Sequence, residues 1–185
     1  MARGEPAGCV SRRRWRDRTR AGRAWAVAEW VLVAAVVAFA VHRFVPRLGD
    51  LGAAPDARYR TLDGQTLGPP DFRGQVVVLN VWATWCPPCV VETPGFVDLS
   101  REFEGDVQFL GLSADDDPAA VRAFVERHGV PYPVLVGPPV TGTPARADVL
   151  PTTLVIDRFG RVRVRHEGLL VEPALRRVLR SLVRE

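Results

Sequence analysis

Residues 75–89 read QVVVLNVWATWCPPC, and this stretch decides the fold. Residues 75–81 form a nearly continuous apolar run that is rich in β-branched side chains, which is typical of a central strand buried on both faces. After a short loop, helical spacing of apolar residues continues from about Cys89 to Phe103. The stretch therefore predicts a buried strand that leads into a helix, with two cysteines at the junction.

The rest of the chain predicts an α/β domain built around a central sheet. Asp63-Gly64 is a strong hairpin turn signal, and Pro118 is well placed to open a helix. The other elements follow in chain order: strands at 59–62, 66–67 and 107–112, a helix at 118–128, a short strand at 132–136, a loop rich in Pro and Gly at 137–147, strands at 153–157 and 162–165, and a helix at 172–183. Alternating strands and helices that end in a hairpin and a final helix are typical of an α/β sandwich.

The net charge of +4 arises from the N-terminal segment and not from the predicted domain. Residues 1–45 carry nine arginines against three acidic residues, whereas residues 46–185 carry 16 arginines against 18 acidic residues. The basic excess is therefore a terminal patch beside an apolar segment. A nucleic-acid-binding surface is not predicted, because the globular part is close to neutral.

The N-terminal segment is typical of a sequence that targets a protein to the membrane. Eight arginines precede residues 24–41, which contain Glu29 as their one charged residue. The positive-inside rule places residues 1–23 in the cytoplasm as a basic tail and the chain after Val45 outside it. Residues 24–45 come close to the roughly 20 residues that a spanning helix needs. We therefore predict a transmembrane signal anchor at 24–45 that contacts the lipid bilayer.

Two other interpretations of this segment stay open. The uncharged apolar core, 30–41, is short enough for a signal peptide, and Ala38-Phe39-Ala40 resembles a cleavage site. A buried core helix is the second alternative. Residues 46–57 contain turn residues and no apolar period, which predicts a linker ahead of a domain at 58–185. On this topology Cys9 is an unpaired cytoplasmic thiol.

The motif Trp85-Cys86-Pro87-Pro88-Cys89 carries the chemistry. Two residues between the cysteines at a helix start allow the two sulfurs to meet in a small ring. Cys86 then lies at the helix N-terminus, where free N–H groups and the macrodipole favour the thiolate, the species that attacks disulfides. Cys89, one turn inside the helix, is expected to be shielded and to act as the resolving thiol.

A zinc site and a purely structural disulfide are the competing interpretations of the motif. Zinc needs four ligands, and Cys9, the third cysteine of the chain, is predicted to lie across the membrane. The histidines at 42, 128 and 166 have no ligand spacing. A structural disulfide usually joins distant segments, because short loops gain less stability from closure. We therefore predict no metal site and a redox-active Cys86–Cys89 pair.

The motif and its surroundings resemble a known family. The stretch VVVLNVWATWCPPCVVETP at 76–94, with GQ before it and LPTTLVIDRFGRV at 150–162, is similar to the TlpA/ResA branch of the thioredoxin superfamily. The resemblance covers roughly Tyr59 to the C-terminus. It implies a thioredoxin-like three-layer sandwich with a central mixed sheet. Members of this branch are bacterial thiol–disulfide oxidoreductases that are periplasmic or tethered to the membrane.

The resemblance also assigns roles to individual residues. Cys86 matches the exposed nucleophile and Cys89 the buried resolving cysteine. Pro151 matches a proline that is cis in this fold and lies against the dithiol. The backbone of Leu150 would offer hydrogen bonds to an extended substrate strand. The candidates for substrate contact therefore surround the dithiol: Trp85, Pro87, Pro88, Leu150 and Pro151.

Glu92 falls where this branch carries an active-site glutamate, three residues after the second cysteine. A partly buried carboxyl group there could take and return protons during exchange; a solvated helix glutamate is the alternative. Thioredoxin itself has a buried aspartate six residues before its first cysteine, and Asn80, which cannot titrate, stands at that position here. Proton transfer is therefore expected to depend on Glu92 or on water.

The resemblance implies a protein-disulfide oxidoreductase that uses its CxxC dithiol and no cofactor. Its partners would be thiols and disulfides of exported proteins, such as apocytochrome c, and a membrane electron donor of the DsbD/CcdA type. Reduction is favoured over oxidation by the resemblance alone, because motif spacing does not fix a redox potential. Two alternatives are a thiol peroxidase and an assembly factor that binds thiol clients without turnover. Ala83 argues against the peroxidase, which needs a threonine three residues before its cysteine.

Overall fold

The computed structural model describes residue 25, residues 27–36 and residues 48–185. Residues 27–36 are helical and are named α1. Within the described ranges, no helix is both long enough and apolar enough to cross a membrane. The predicted basic tail at 1–23 with Cys9, and half of the predicted anchor at 24–45, lie outside the described residues.

From residue 48 onward the chain forms the predicted α/β sandwich. Its elements are β1 (Arg58–Thr61), β2 (Thr66–Leu67), a 3₁₀ turn (Pro69–Phe72), β3 (Val76–Trp82), α2 (Pro87–Glu102), β4 (Val107–Ser113), α3 (Pro118–His128), β5 (Val134–Thr141), β6 (Thr152–Ile156), β7 (Val162–Glu167) and α4 (Glu172–Arg184). The sheet has the order β2-β1-β5-β4-β3-β6-β7. Because β3–β4 and β4–β5 are parallel and the other pairs antiparallel, the predicted mixed sheet is confirmed.

Strand β3 is the centre of the domain, and all seven of its residues are buried. Side chains alternate between the two faces of a strand. Val76 and Val78 therefore pack in one core with apolar residues of α2 and α4. Val77 and Leu79 pack in a second core with β1, β6 and the segment after β5. The sheet is thus the middle layer, and the carboxyl end of β3 points the chain toward the cysteines.

The predicted loop at 137–147 is wrong over its first half, because β5 continues to Thr141. Beyond Leu135 this strand no longer pairs with β4, but it still pairs with β1 as far as Thr141. One edge of β5 is therefore unpaired at Pro138 and Pro139. Proline, which has no N–H to donate, is tolerated in a strand along such an edge.

Residues 49–54, within the predicted linker at 46–57, are hydrogen-bonded along the outer edge of β7. The backbone N–H of Gly49 donates to the carbonyl of Arg163 at 2.8 Å, and that of Ala54 donates to the carbonyl of Gly160 at 2.9 Å. Asp50 forms an ion pair with Arg161. These residues are therefore part of the folded domain, and they cover an edge that would otherwise be open to another strand.

Gly111 of β4 permits close packing of the Trp82 and Tyr132 side chains against the strand. A methyl group added there would lie 2.8 Å from Nε1 of Trp82 and 3.5 Å from Cε2 of Tyr132. We expect Gly111→Ala to lower the free energy of unfolding by about 1–3 kcal/mol, the usual cost of overpacking a core. Urea denaturation would measure the change. Gly49→Ala is the control, because its nearest neighbour is a Leu51 methyl group at 3.7 Å; equal losses in the two variants would contradict the prediction.

Candidate active site

The two cysteines of the motif form a disulfide at the start of α2, with their Cα atoms 5.3 Å apart. Cys86 is the N-cap residue and has an extended backbone, and Pro87 and Pro88 occupy the first turn. Proline is compatible with that turn because first-turn N–H groups have no helical acceptor. The sequence therefore places Cys86 at the positive end of the helix, as predicted. Cys89 lies one helical turn further along, also as predicted.

The exposure of the two cysteines differs less than the resemblance implies. Cys86, which matches an exposed nucleophile, is 4% exposed, and Cys89 is 1% exposed in this disulfide-bonded state. The side chain of Leu150 packs against the apolar cluster that contains both cysteines. The disulfide therefore belongs to an apolar cluster at the start of α2.

Pro151 precedes β6, beside this cluster, and the Leu150–Pro151 peptide bond is cis, as the resemblance implies. Its neighbours are fixed by hydrogen bonds. The carbonyl of Pro151 accepts from the N–H of Gly168 at 2.8 Å. The Thr152 hydroxyl donates to the carbonyl of Val149 at 2.6 Å. The first of these contacts joins the proline segment to the loop after β7, and the second lies within the segment.

Glu92 is a buried residue, 5% exposed, and not a solvated helix glutamate. Its Oε1 atom accepts from Nδ2 of Asn80 at 2.8 Å, and Oε2 accepts from the N–H of Leu170 at 3.1 Å. Asn80 also donates to the Thr153 hydroxyl at 3.1 Å. Burial raises the pKa of Glu92 to about 7, although both hydrogen bonds act to lower it.

Glu92 follows Cys89 by three residues on α2. Residues three apart on a helix share a face, so the side chains of Cys89 and Glu92 are neighbours. A small cavity of about 10 Å³, lined by Asn80, Trp82, Glu92 and Tyr132, adjoins the carboxyl group. A space of that size holds about one water molecule. Burial raises the pKa of Tyr132, and the nearby Glu92 carboxylate raises it further.

Three segments that carry or contact the site residues also carry exposed apolar side chains. These side chains, here called the apolar rim, are Trp85, Val91, Val149, Leu169 and Val171. Trp85 and Val91 are 68% and 67% exposed, so neither contributes to the core. The segment 168–171 lies between the proline segment and α2, because Gly168 and Leu170 donate to Pro151 and Glu92 respectively.

The structure brings the predicted site residues together around one disulfide. Trp85, Pro87 and Pro88 are exposed beside it, and Leu150, which precedes the cis Pro151, packs against the cluster that contains both cysteines. Sequence reasoning missed the loop after β7. Its signal is GLLV at 168–171, an apolar run outside every predicted element. A run of that kind beside a cysteine motif indicates a surface with a binding role.

Comparisons with known proteins agree with this geometry. Residues 49–179 match the Redoxin family. The thioredoxin-like protein YneN of Bacillus subtilis is 30% identical over 129 residues, which cover 68% of this chain and 76% of YneN. The thiol-disulfide oxidoreductase ResA of Bacillus thuringiensis is 36% identical over 112 residues, which cover 59% of this chain and 64%, just under two thirds, of that ResA.

A solved structure extends the likeness to three dimensions. The crystal structure of a secreted thiol-disulfide isomerase from Corynebacterium glutamicum superposes with a TM-score of 0.63 and 27% sequence identity. The match covers 75% of this chain and 86% of that chain. The family match spans the sheet, the disulfide and the proline segment described above. The chain therefore belongs to the Redoxin family and, within it, to the TlpA/ResA-like thiol–disulfide oxidoreductases of thioredoxin fold.

Proposed function

We propose that this protein is a membrane-anchored oxidoreductase that works outside the bacterial cytoplasm and reduces disulfides in exported proteins, with apocytochrome c as one substrate. The observation that carries the proposal is the Cys86–Cys89 disulfide at the start of α2, in a cluster against which Leu150 of the cis Leu150–Pro151 bond packs. The basic segment before the apolar stretch at 24–45 supports the anchor and the location. A related protein that is secreted supports the location as well.

The proposed reaction consists of two thiol–disulfide exchanges. The Cys86 thiolate attacks one sulfur of the substrate disulfide, which forms a mixed disulfide and releases the other substrate sulfur as a thiolate. The Cys89 thiol then loses its proton and attacks Sγ of Cys86. That step releases the second substrate sulfur and leaves Cys86 and Cys89 oxidised. A membrane electron donor of the DsbD/CcdA type would return two electrons to the pair.

Glu92 is the group that would take the proton from Cys89. A base works best when its pKa lies near the working pH, and burial gives Glu92 a pKa of about 7. The carboxyl group is held by Asn80 and Leu170, so it does not swing away between the two exchanges. It would return the proton when Cys89 is reduced again.

The apolar rim would receive the substrate chain. The exposed apolar groups of this rim suit the apolar side chains of an unfolded polypeptide. The backbone of Leu150 would add hydrogen bonds to an extended strand. Exported proteins that await folding present both features, because their apolar side chains and backbone groups are still accessible.

The test is the redox state of Cys86 and Cys89 in growing cells. Intact cells are treated with a membrane-impermeant maleimide, quenched with acid, and relabelled with a reagent of different mass. We expect the pair to be mostly reduced and to react with the first reagent, since an electron donor keeps it reduced in oxidising surroundings.

A variant with Cys86→Ser and Cys89→Ser is the matched control, because Cys9 is then its one thiol. Cys9 of this variant should react with the maleimide only after the cells are opened. A pair that is mostly oxidised in growing cells would overturn the reducing direction. If the wild-type cysteines are reduced but do not react with the impermeant maleimide in intact cells, the proposed location outside the cytoplasm is wrong.

A further inference from the structure

Asp115 joins the end of β4 to the loop that precedes Cys86. Its Oδ2 atom accepts from the backbone N–H of Thr84 at 2.9 Å, and Oδ1 accepts from the Thr84 hydroxyl at 2.5 Å. The Ser113 hydroxyl donates to Oδ2 at 2.8 Å, which fixes the carboxylate from its own side. Both oxygens are therefore used, and both bind the same residue of the loop.

The loop at 83–85 has few other attachments. Ala83 is buried and its carbonyl accepts from the N–H of Cys86, which closes a turn. Trp85 is largely exposed, so packing does not hold the residue next to the nucleophile. Within the part of the chain that the structure describes, Asp115 makes the side-chain hydrogen bonds that tie this loop to another strand.

The three aspartates at 115–117 have separate roles. Asp117 is the N-cap of α3, and its side chain accepts from the N–H of Ala119 at 2.9 Å. Asp116 is exposed and makes no side-chain hydrogen bond with the described residues. Asp115 alone of the three contacts the loop before the disulfide. Helix capping therefore does not account for it.

We propose that Asp115 is a positioning residue, which holds Thr84 so that Cys86 stays at the N-terminus of α2 when the disulfide opens. In the oxidised form the bond to Cys89 already ties Cys86 to the helix. Reduction removes that tie, and the hydrogen bonds of the loop are what remains. Thiolate stabilisation by a helix N-terminus falls off within the first turn, so a small displacement of Cys86 matters. The inference rests on the proposed role of Cys86 as the nucleophile.

The test follows the alkylation rate of Cys86 against pH in the full chain with Cys9→Ser and Cys89→Ser, which leaves one thiol. Thr84→Val removes the hydroxyl while keeping shape and charge, and Asp115→Asn removes the charge. We expect both to move the profile to higher pH and to slow alkylation at pH 6 by about threefold to tenfold, the effect of one charge losing a helix N-terminus. Two control variants should have the alkylation profile of the parent. Thr84→Ser keeps the hydroxyl, and Asp116→Asn makes the same charge change at the neighbouring residue.

The sign of the shift separates this proposal from its rivals. Removing a negative charge would by itself favour the thiolate and move the Asp115→Asn profile to lower pH. That result, with Thr84→Val unchanged, would overturn positioning in favour of a simple charge effect. If the alkylation profiles of both variants are unchanged and their melting temperatures are lower, the Thr84–Asp115 contact only stabilises the fold. Alkylation needs no substrate disulfide, so the readout stands even if the proposed reductase activity fails its own test.

Discussion

Replacement of Cys86 by serine is expected to abolish disulfide reduction, with a fall in turnover of at least about 10³-fold, because the nucleophile of the first exchange is lost. Serine preserves size, and its hydroxyl stays protonated at neutral pH, so it cannot replace the thiolate. Turnover would be measured with a disulfide-bonded protein as substrate and a chemical reductant that regenerates the dithiol. Undiminished activity would place the chemistry elsewhere in the chain.

Cys89→Ser should behave differently, and the difference identifies the order of attack. Cys86 can still open the substrate disulfide, but nothing resolves the mixed disulfide. A covalent complex should therefore accumulate in proportion to the enzyme, and it should disappear on addition of reductant. Cys9→Ser is the matched control, since it removes a thiol that takes no part in the proposed mechanism. Accumulation of the complex with Cys86→Ser, and not with Cys89→Ser, would reverse the roles of the two cysteines.

Much of this site was predictable because the chemistry and the local structure share one stretch of sequence. A buried strand, a short loop and a helix start at 76–89 place Cys86 at the helix N-terminus whatever the rest of the chain does. The sheet around them was predictable for a related reason: alternating strands and helices leave few ways to pair. The cis bond at Pro151 came from the resemblance, since spacing alone does not specify it.

The features that the sequence did not show depend on contacts between distant segments. Glu92 becomes buried because the loop after β7 covers it, and Leu170 lies 78 residues away in the chain. Thr84 and Asp115 are 31 residues apart. The strand at 138–141 forms because β1 pairs with it, which outweighs the turn signals of its prolines. Pairing of this kind is decided by tertiary structure and leaves little trace in local composition.

Glu92 is expected to make the stability of the oxidised protein depend on pH. Its pKa is about 7 when folded, against an ordinary value of 4.5. The folded state therefore holds this proton more tightly than the unfolded chain does. The resulting stabilisation is fully present below pH 4.5 and is lost as the pH rises through 7. A difference of this size corresponds to about 3 kcal/mol, so the wild type should lose about that much unfolding free energy across the window.

Glu92→Gln should remove this dependence, because glutamine does not titrate. The site can accept the change if the Asn80 amide turns over, so that its oxygen accepts from the glutamine and the Thr153 hydroxyl becomes a donor. Urea denaturation of the disulfide form between pH 4 and pH 8 would measure both curves. Glu104→Gln, which alters an exposed carboxyl group in the turn that follows the same helix, should run parallel to the wild type.

The same comparison bears on the mechanism. If the wild-type and Glu92→Gln curves run parallel, the pKa of Glu92 is the same in the folded and unfolded states, and the proposal that Glu92 takes the proton of Cys89 loses its support. If they converge toward acid pH and separate toward neutral pH, the carboxyl group changes its protonation state near the pH at which the exchange runs. A base that is half-protonated there can both take the proton and return it, and Asn80, which replaces the aspartate of thioredoxin, can do neither. In this chain the proton would then pass from Cys89 to Glu92, both on α2, and not to residue 80 on β3.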